Sequence, residues 1–109
     1  MTDRLDDAFH SPARLKLAAF LSGCDEATYA AAMEGCGLTK STLSKSMRAL
    51  EDAGYVTARK GYHERTPRTW LSLTSTGREA LAGHLRALYE LARLASRPPT
   101  ATSGSAAAR

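Results

Sequence analysis

Within the stretch LTKSTLSKSMRALEDAGYV, residues 38–56, short hydroxyls and long cations are interleaved: Thr39, Lys40, Ser41, Thr42, Ser44, Lys45 and Arg48. Short polar side chains near a helix start let a backbone come close to a partner. Lysine and arginine reach past them to phosphate oxygens or guanine edges. A second cationic group follows, made of Arg59, Lys60, His63, Arg65 and Arg68. Both sets suit contact with a polyanion rather than the making or breaking of a bond.

Catalytic patterns are missing from the sequence. It has no Gly-rich phosphate loop, no nucleophile elbow and no close pairing of Cys or Ser with His. His10, His63 and His84 fall in three different predicted elements. Cys24 and Cys36 flank a predicted helix, which would separate them by about 18 Å, whereas a disulfide needs Cα atoms within about 7 Å. We therefore expect no catalytic residue, no metal and no cofactor. The two thiols read as reduced and partly buried, and an intermolecular redox bridge stays open as an alternative.

The elements that must position the two polar groups follow from punctuation and periodicity. Ser11 is a good N-cap and Pro12 suits the first helical position, so SPARLKLAAFL predicts a helix ending at Gly23. Leu5 and Phe9 precede that cap and are placed to pack back on it. A second helix is predicted from about Asp25 to Cys36, stopped by Gly35 and Gly37. Thr39 caps a third helix, about 40–53, whose Leu43, Met47 and Leu50 form a narrow buried stripe, with Gly54 at its end. YVTARK and TWLSLT read as two short strands joined by the loop GYHERTPR, residues 61–68, a β-hairpin with a basic tip. Thr76 and Glu79 fit a capping box that opens a long helix over about 76–95. Residues 96–109 lack periodicity and predict a disordered tail.

The order helix, helix, helix, strand, loop, strand, long helix is mainly α with a small β-hairpin. It predicts one winged helix-turn-helix domain over residues 1–95. The chain of 109 residues has a formal charge of +4, unevenly spread. Residues 1–34 carry three positive and six negative side chains, residues 35–68 seven and three, and residues 69–109 five and two. Positive charge thus gathers in the middle and last thirds, as a face meeting nucleic acid requires. No apolar run is long enough to span a bilayer and no leader is evident, so a cytoplasmic protein with no membrane partner is expected.

LDDAFHSPARLKLAAFL, LTKSTLSKSMRALEDAGYV and RTPRTWLSLTSTGREAL, in this order, resemble the compact winged-helix transcriptional regulators related to the MarR and ArsR groups. The resemblance covers roughly residues 5–95 and departs at Ser46, where those regulators usually carry histidine. It implies a homodimer that binds double-stranded DNA. In that arrangement the helix at about 40–53 lies in the major groove and the wing, 59–68, on the backbone or in the minor groove. The DNA-binding set is then Thr39, Lys40, Ser41, Thr42, Ser44, Lys45, Arg48, Arg59, Lys60, His63, Arg65 and Arg68. The long helix has more apolar surface than one domain needs, so Leu81, Leu85, Leu88, Tyr89, Ala92 and Ala95 are expected at a dimer interface. Two recognition helices about 34 Å apart would then meet an inverted repeat. A small-molecule effector of unknown identity would sit near Tyr29, Met33, Trp70 and Tyr89. The competing reading is a protein–protein adaptor of the same fold without DNA affinity. An adaptor has no reason to cluster Arg59, Lys60, Arg65 and Arg68.

Overall fold

A computed structural model describes residues 3–96. A 3-10 turn (Asp7–Phe9) precedes α1 (Pro12–Ser22), β1 (Ala27–Thr28), α2 (Tyr29–Cys36), α3 (Lys40–Asp52), β2 (Val56–His63), β3 (Thr66–Leu73) and α4 (Ser75–Ser96). The strands form one antiparallel sheet in the order β1-β3-β2. The expected tail at 96–109 lies, apart from Ser96, outside the described residues. No helix among the described residues is long and apolar enough to cross a membrane.

α1 begins as its sequence dictates. Ser11 Oγ accepts the Arg14 backbone N–H at 3.4 Å, and Pro12 occupies the first turn. Leu17, Ala18 and Leu21 of α1 are buried in one core with Leu43, Met47 and Leu50 of α3, Ala32 of α2, and Val56, Leu71 and Leu73 of the sheet. Phe9 closes that core from the N-terminal side and Leu81 from α4. Leu81 is therefore a core residue of its own domain, which removes it from the expected dimer set.

Three boundaries differ from expectation, each for a tertiary reason. Asp25 does not open α2. Ala27 and Thr28 pair instead with Leu71 and Trp70, and Thr28 Oγ1 caps the helix by accepting the Ala31 N–H at 3.1 Å. The expected loop 61–68 is mostly strand. Gly61 pairs with Arg68 and Tyr62 with Pro67, leaving only Glu64 and Arg65 at the turn, with φ of 51° and 69°. Two successive left-handed residues make a type I′ turn, whose twist matches that of the strands it joins. β1 reaches only Leu71 and Trp70, so the other edge of β3 is open at Pro67, where a missing N–H breaks no ladder bond.

The capping box of Thr76 and Glu79 does not form either. Thr74 is the cap: its Oγ1 accepts the Gly77 N–H at 2.9 Å and donates to the Gly54 carbonyl at 2.8 Å. Its backbone N–H donates to the Tyr55 carbonyl at 2.9 Å. These bonds press the first turn of α4 onto the corner between α3 and β2, and a Cβ at residue 77 would overlap the Tyr55 carbonyl oxygen. Arg78 extends the same junction by donating to the Ser22 and Cys24 carbonyls at the end of α1.

Tyr55 also carries the N-terminal segment. Its ring stacks on Phe9 at 5.5 Å and its hydroxyl donates to the Asp6 carboxylate. The Asp6 backbone N–H donates in turn to His84 Nδ1 at 2.9 Å, fixing that nitrogen as an acceptor. His84 is only 2% exposed. Burial pushes its pKa below the ordinary value, the neighbouring His10 adds to the effect, and Asp6 opposes it.

Two predictions follow from these contacts. Gly77→Ala should cost about 1–3 kcal/mol, the usual range for overpacking, read as a lowered midpoint in denaturant melts with unchanged slope. His84 is held neutral in the fold, while in the unfolded chain it takes up a proton near pH 6.5. Its stabilising contribution is therefore complete above about pH 6.5 and is lost as pH falls from there toward the folded-state value. His84→Asn keeps an acceptor for the Asp6 N–H and removes the titration. The variant should lose less thermal stability than wild type between about pH 7.5 and 5.5, and parallel losses would refute the assignment.

Candidate nucleic-acid interface

The helix–turn–helix at the centre of the chain is set by backbone geometry. Gly37 ends α2 at φ 66°, a left-handed conformation that costs glycine little. The Leu38 N–H donates back to the Met33 carbonyl at 3.1 Å, and the chain turns directly into α3. Thr39 Oγ1 accepts the Thr42 N–H at 3.1 Å, and the two hydroxyls bond each other at 3.0 Å. The Thr39 hydroxyl is thus used in the cap, while Thr42, half-buried, accepts from it and keeps its own O–H free to donate. Lys40, Ser41, Ser44, Lys45 and Arg48 stand exposed on one side of α3, while Leu43, Ser46, Met47 and Leu50 are buried on the other. Ser46 faces the core, so it adds nothing to the exposed face.

The wing stands beside that face, and strand alternation divides its cations. Val56, Ala58, Lys60 and Tyr62 of β2 share one face with Pro67, Thr69, Leu71 and Leu73 of β3. This face closes on α3: Lys60, Ala58, Pro67 and Thr69 line a groove with Lys40, Ser44, Met47 and Glu51 of α3 and with Tyr29 and Met33 of α2. Arg59, His63, Arg68 and Trp70 fall on the opposite face, and Arg65 sits in the turn.

Arg59 departs from its expected role as a free DNA contact. Its guanidinium lies 5.4 Å from the centre of the Trp70 ring and bonds Glu26 at 2.6 and 3.4 Å. It ties the base of the wing to the segment before β1. The other interface cations, Lys40, Lys45, Arg48, Lys60, Arg65 and Arg68, form no ion pair among the described residues. Glu26 was invisible to sequence reasoning because its partner lies 33 positions away. Tyr62, on the wing face toward α3, was also missed, although its alternation with Lys60 and Ala58 signals it.

The far half of α4 forms a second surface. Beyond His84 no α4 side chain is buried. Leu85, Tyr89, Leu91 and Leu94 are large, apolar and exposed, Leu94 to 60%, with Ala92 and Ala95 beside them and Leu88 half-buried. Asp3 bonds Arg86 at 2.8 Å, which lays Leu5 along the same helix. The four residues expected around an effector do not converge. Tyr29 and Met33 face the groove, Trp70 lies under Arg59 and Tyr89 stands on the outer half of α4.

Among the described residues, no three His, Cys, Asp or Glu side chains are placed to hold a metal ion. Both cysteines are free thiols. Burial lifts the Cys36 pKa above its usual range, with Lys16 opposing, so little thiolate is present.

Residues 13–92 match the family model of a winged helix DNA-binding domain. Among solved structures, a transcriptional regulator homologue from Pyrococcus horikoshii OT3 superposes with a TM-score of 0.77 at 27% identity, over 83% of this chain and 89% of the other. A MarR-family transcriptional regulator from Silicibacter pomeroyi gives 0.56 at 26% identity, over 84% and 62%. The PcaV transcriptional regulator from Streptomyces coelicolor, solved with its natural ligand, gives 0.69 over 90% and 68%. Its 18% identity makes that a likeness of fold. No protein of curated function is significantly similar in sequence.

The Arg59–Glu26 pair is half-exposed, so its coupling in a double-mutant cycle should be about 0.2–1 kcal/mol. A coupling above about 2 kcal/mol in denaturant melts would overturn this placing of the pair among ordinary surface ion pairs.

Proposed function

Because the chain belongs to the winged helix DNA-binding domain family, we propose that it is a transcriptional regulator that binds double-stranded DNA as a homodimer. It is a binding protein rather than an enzyme. One observation carries the reading: unpaired cations on α3 and on the wing stand on adjoining surfaces, and Lys40, Ser44 and Lys60 line the groove between them. In this reading Lys40, Ser41, Ser44, Lys45 and Arg48 enter the major groove, with Thr39 and Thr42 holding the helix start. Lys60, His63, Arg65 and Arg68 follow the backbone or enter the minor groove, and Arg59 braces the wing. An adaptor gains nothing from so many unpaired cations on adjoining surfaces.

The exposed apolar half of α4, with Leu85, Leu88, Tyr89, Ala92 and Ala95, packs against a second copy. An apolar face of this kind is costly to leave in water. At about 33 Å for 22 residues, α4 is long enough to carry a dimer contact away from the reading surface. A cytoplasmic location is consistent with this role, and no described helix is long and apolar enough to cross a membrane. For a small-molecule effector the receptive surface is the groove between α3 and the wing, lined by the apolar Tyr29, Met33 and Met47 and by the charged Lys40, Lys60 and Glu51.

Selection from a random duplex pool tests this reading. An inverted repeat with half-sites about one helical turn apart should be enriched, and affinity should fall steeply with salt. Lys45→Ala and Arg48→Ala should each cost about 1–3 kcal/mol on that site, and Arg65→Ala should lower the salt slope by about one. Absence of enrichment, with all three variants binding like wild type, would favour the adaptor.

A further inference from the structure

We propose that Tyr62, backed by Pro67, is an apolar minor-groove contact that confers a preference for A·T pairs flanking the half-site. The proposal rests on the DNA-binding reading and names a residue and a contact beyond it. Tyr62 is 76% exposed, more than any other large hydrophobic side chain among the described residues. It sits opposite Pro67 near the tip of a hairpin whose two turn residues, Glu64 and Arg65, are both left-handed. Such a turn is stiff, and with the proline ring across the ladder it holds the tyrosine ring out at little further entropic cost.

The ring's position along the strand decides its partner. Tyr62 lies on the same face as Lys60, which lines the groove against Lys40 and Ser44 of α3. The wing surface nearest the recognition helix therefore ends in an apolar plate. Lys60 stands behind that plate, Glu64 and Arg65 form the turn ahead of it, and Arg68 lies on the opposite face of the hairpin, so Lys and Arg outnumber the single carboxylate. Two facing rings are too small a patch to hold a protein partner, and the surrounding charge matches phosphates on the two walls of a groove. The minor groove is about 6 Å wide, and a G·C pair places an amino group on its floor that an A·T pair lacks. A ring pressed to that floor is obstructed by the amino group, and apolar side chains placed there also unstack flexible steps.

The full-length protein is titrated with the duplex enriched from a random pool, or with mixed-sequence duplex if none is enriched. The flanks are made A·T or G·C, and binding is measured at several salt concentrations. Tyr62→Ala should lose about tenfold in affinity on A·T flanks, lose the flank preference and keep the salt slope, since no phosphate contact is lost and counterion release is unchanged. Tyr62→Phe should behave like wild type. Tyr62→Thr, which retains strand propensity, should match the alanine variant at an unchanged melting midpoint. If Tyr62→Ala and Tyr62→Thr bind within about twofold of wild type with the flank preference intact, while Arg65→Ala still lowers the slope, the ring is no contact and only this proposal falls. If wild type selects no sequence and Arg65→Ala changes nothing, the DNA-binding reading falls and takes the proposal with it.

Discussion

The fold depends on one corner, where the chain leaves α3 and turns into β2. Gly54 takes a left-handed φ of 80°, and the Tyr55 N–H donates back to the Leu50 carbonyl at 2.9 Å. The carbonyls of residues 54 and 55 then point at the start of α4, where Thr74 takes both. The approach is so close that only glycine fits at position 77. Tyr55 meanwhile holds the N-terminal segment through Phe9 and Asp6. Three parts of the chain remote in sequence are thus referenced to one backbone turn.

That corner relates the two working surfaces. α3 carries the exposed cations and α4 carries the exposed apolar half, and the Thr74 bonds set the angle between them. A change at the corner would move one surface relative to the other while each kept its own chemistry. The wing is held as firmly on its other side. β1 borrows the free edge of β3, and the Arg59–Glu26 pair closes the space beside it. The base of the wing is therefore tied to β1 on one side and, through Val56, Leu71 and Leu73, to the core that α3 shares.

Much of this was legible in the sequence. Ser11-Pro12, the Leu43–Met47–Leu50 stripe and the glycines at 23, 37 and 54 act locally, and the structure keeps the first and third helices close to where they predict them. The failures share a physical cause, namely tertiary bonds that outweigh local preference. Thr76-Glu79 is a sound local capping signal, yet Thr74 wins because it alone reaches Gly54 and Tyr55. Asp25-Glu26 looks like an acidic first turn, yet pairing of Ala27-Thr28 with β3 claims the backbone first. Gly61 and Pro67 resemble loop residues, yet the turn is made by Glu64-Arg65, which no turn preference marks strongly. The candidate interface was legible as a list of cations but not as an arrangement. The sequence could not say that Arg59 faces away and is paired, that the Thr39 hydroxyl bonds Thr42 as well as capping the helix, or that Leu81 belongs to the domain's own core.

The absence of any buried side chain in α4 beyond His84 separates two kinds of selection on the gene. Mutations in the outer half of α4 leave the core untouched, so folding places few demands on that stretch. If α4 joins two copies as proposed, the products of a duplicated gene could diverge there until each paired only with itself, while both kept the same α3 surface. The reverse also holds, because α3 has exposed positions that can change without touching α4. In the proposed dimer the choice of partner and the choice of target can drift independently.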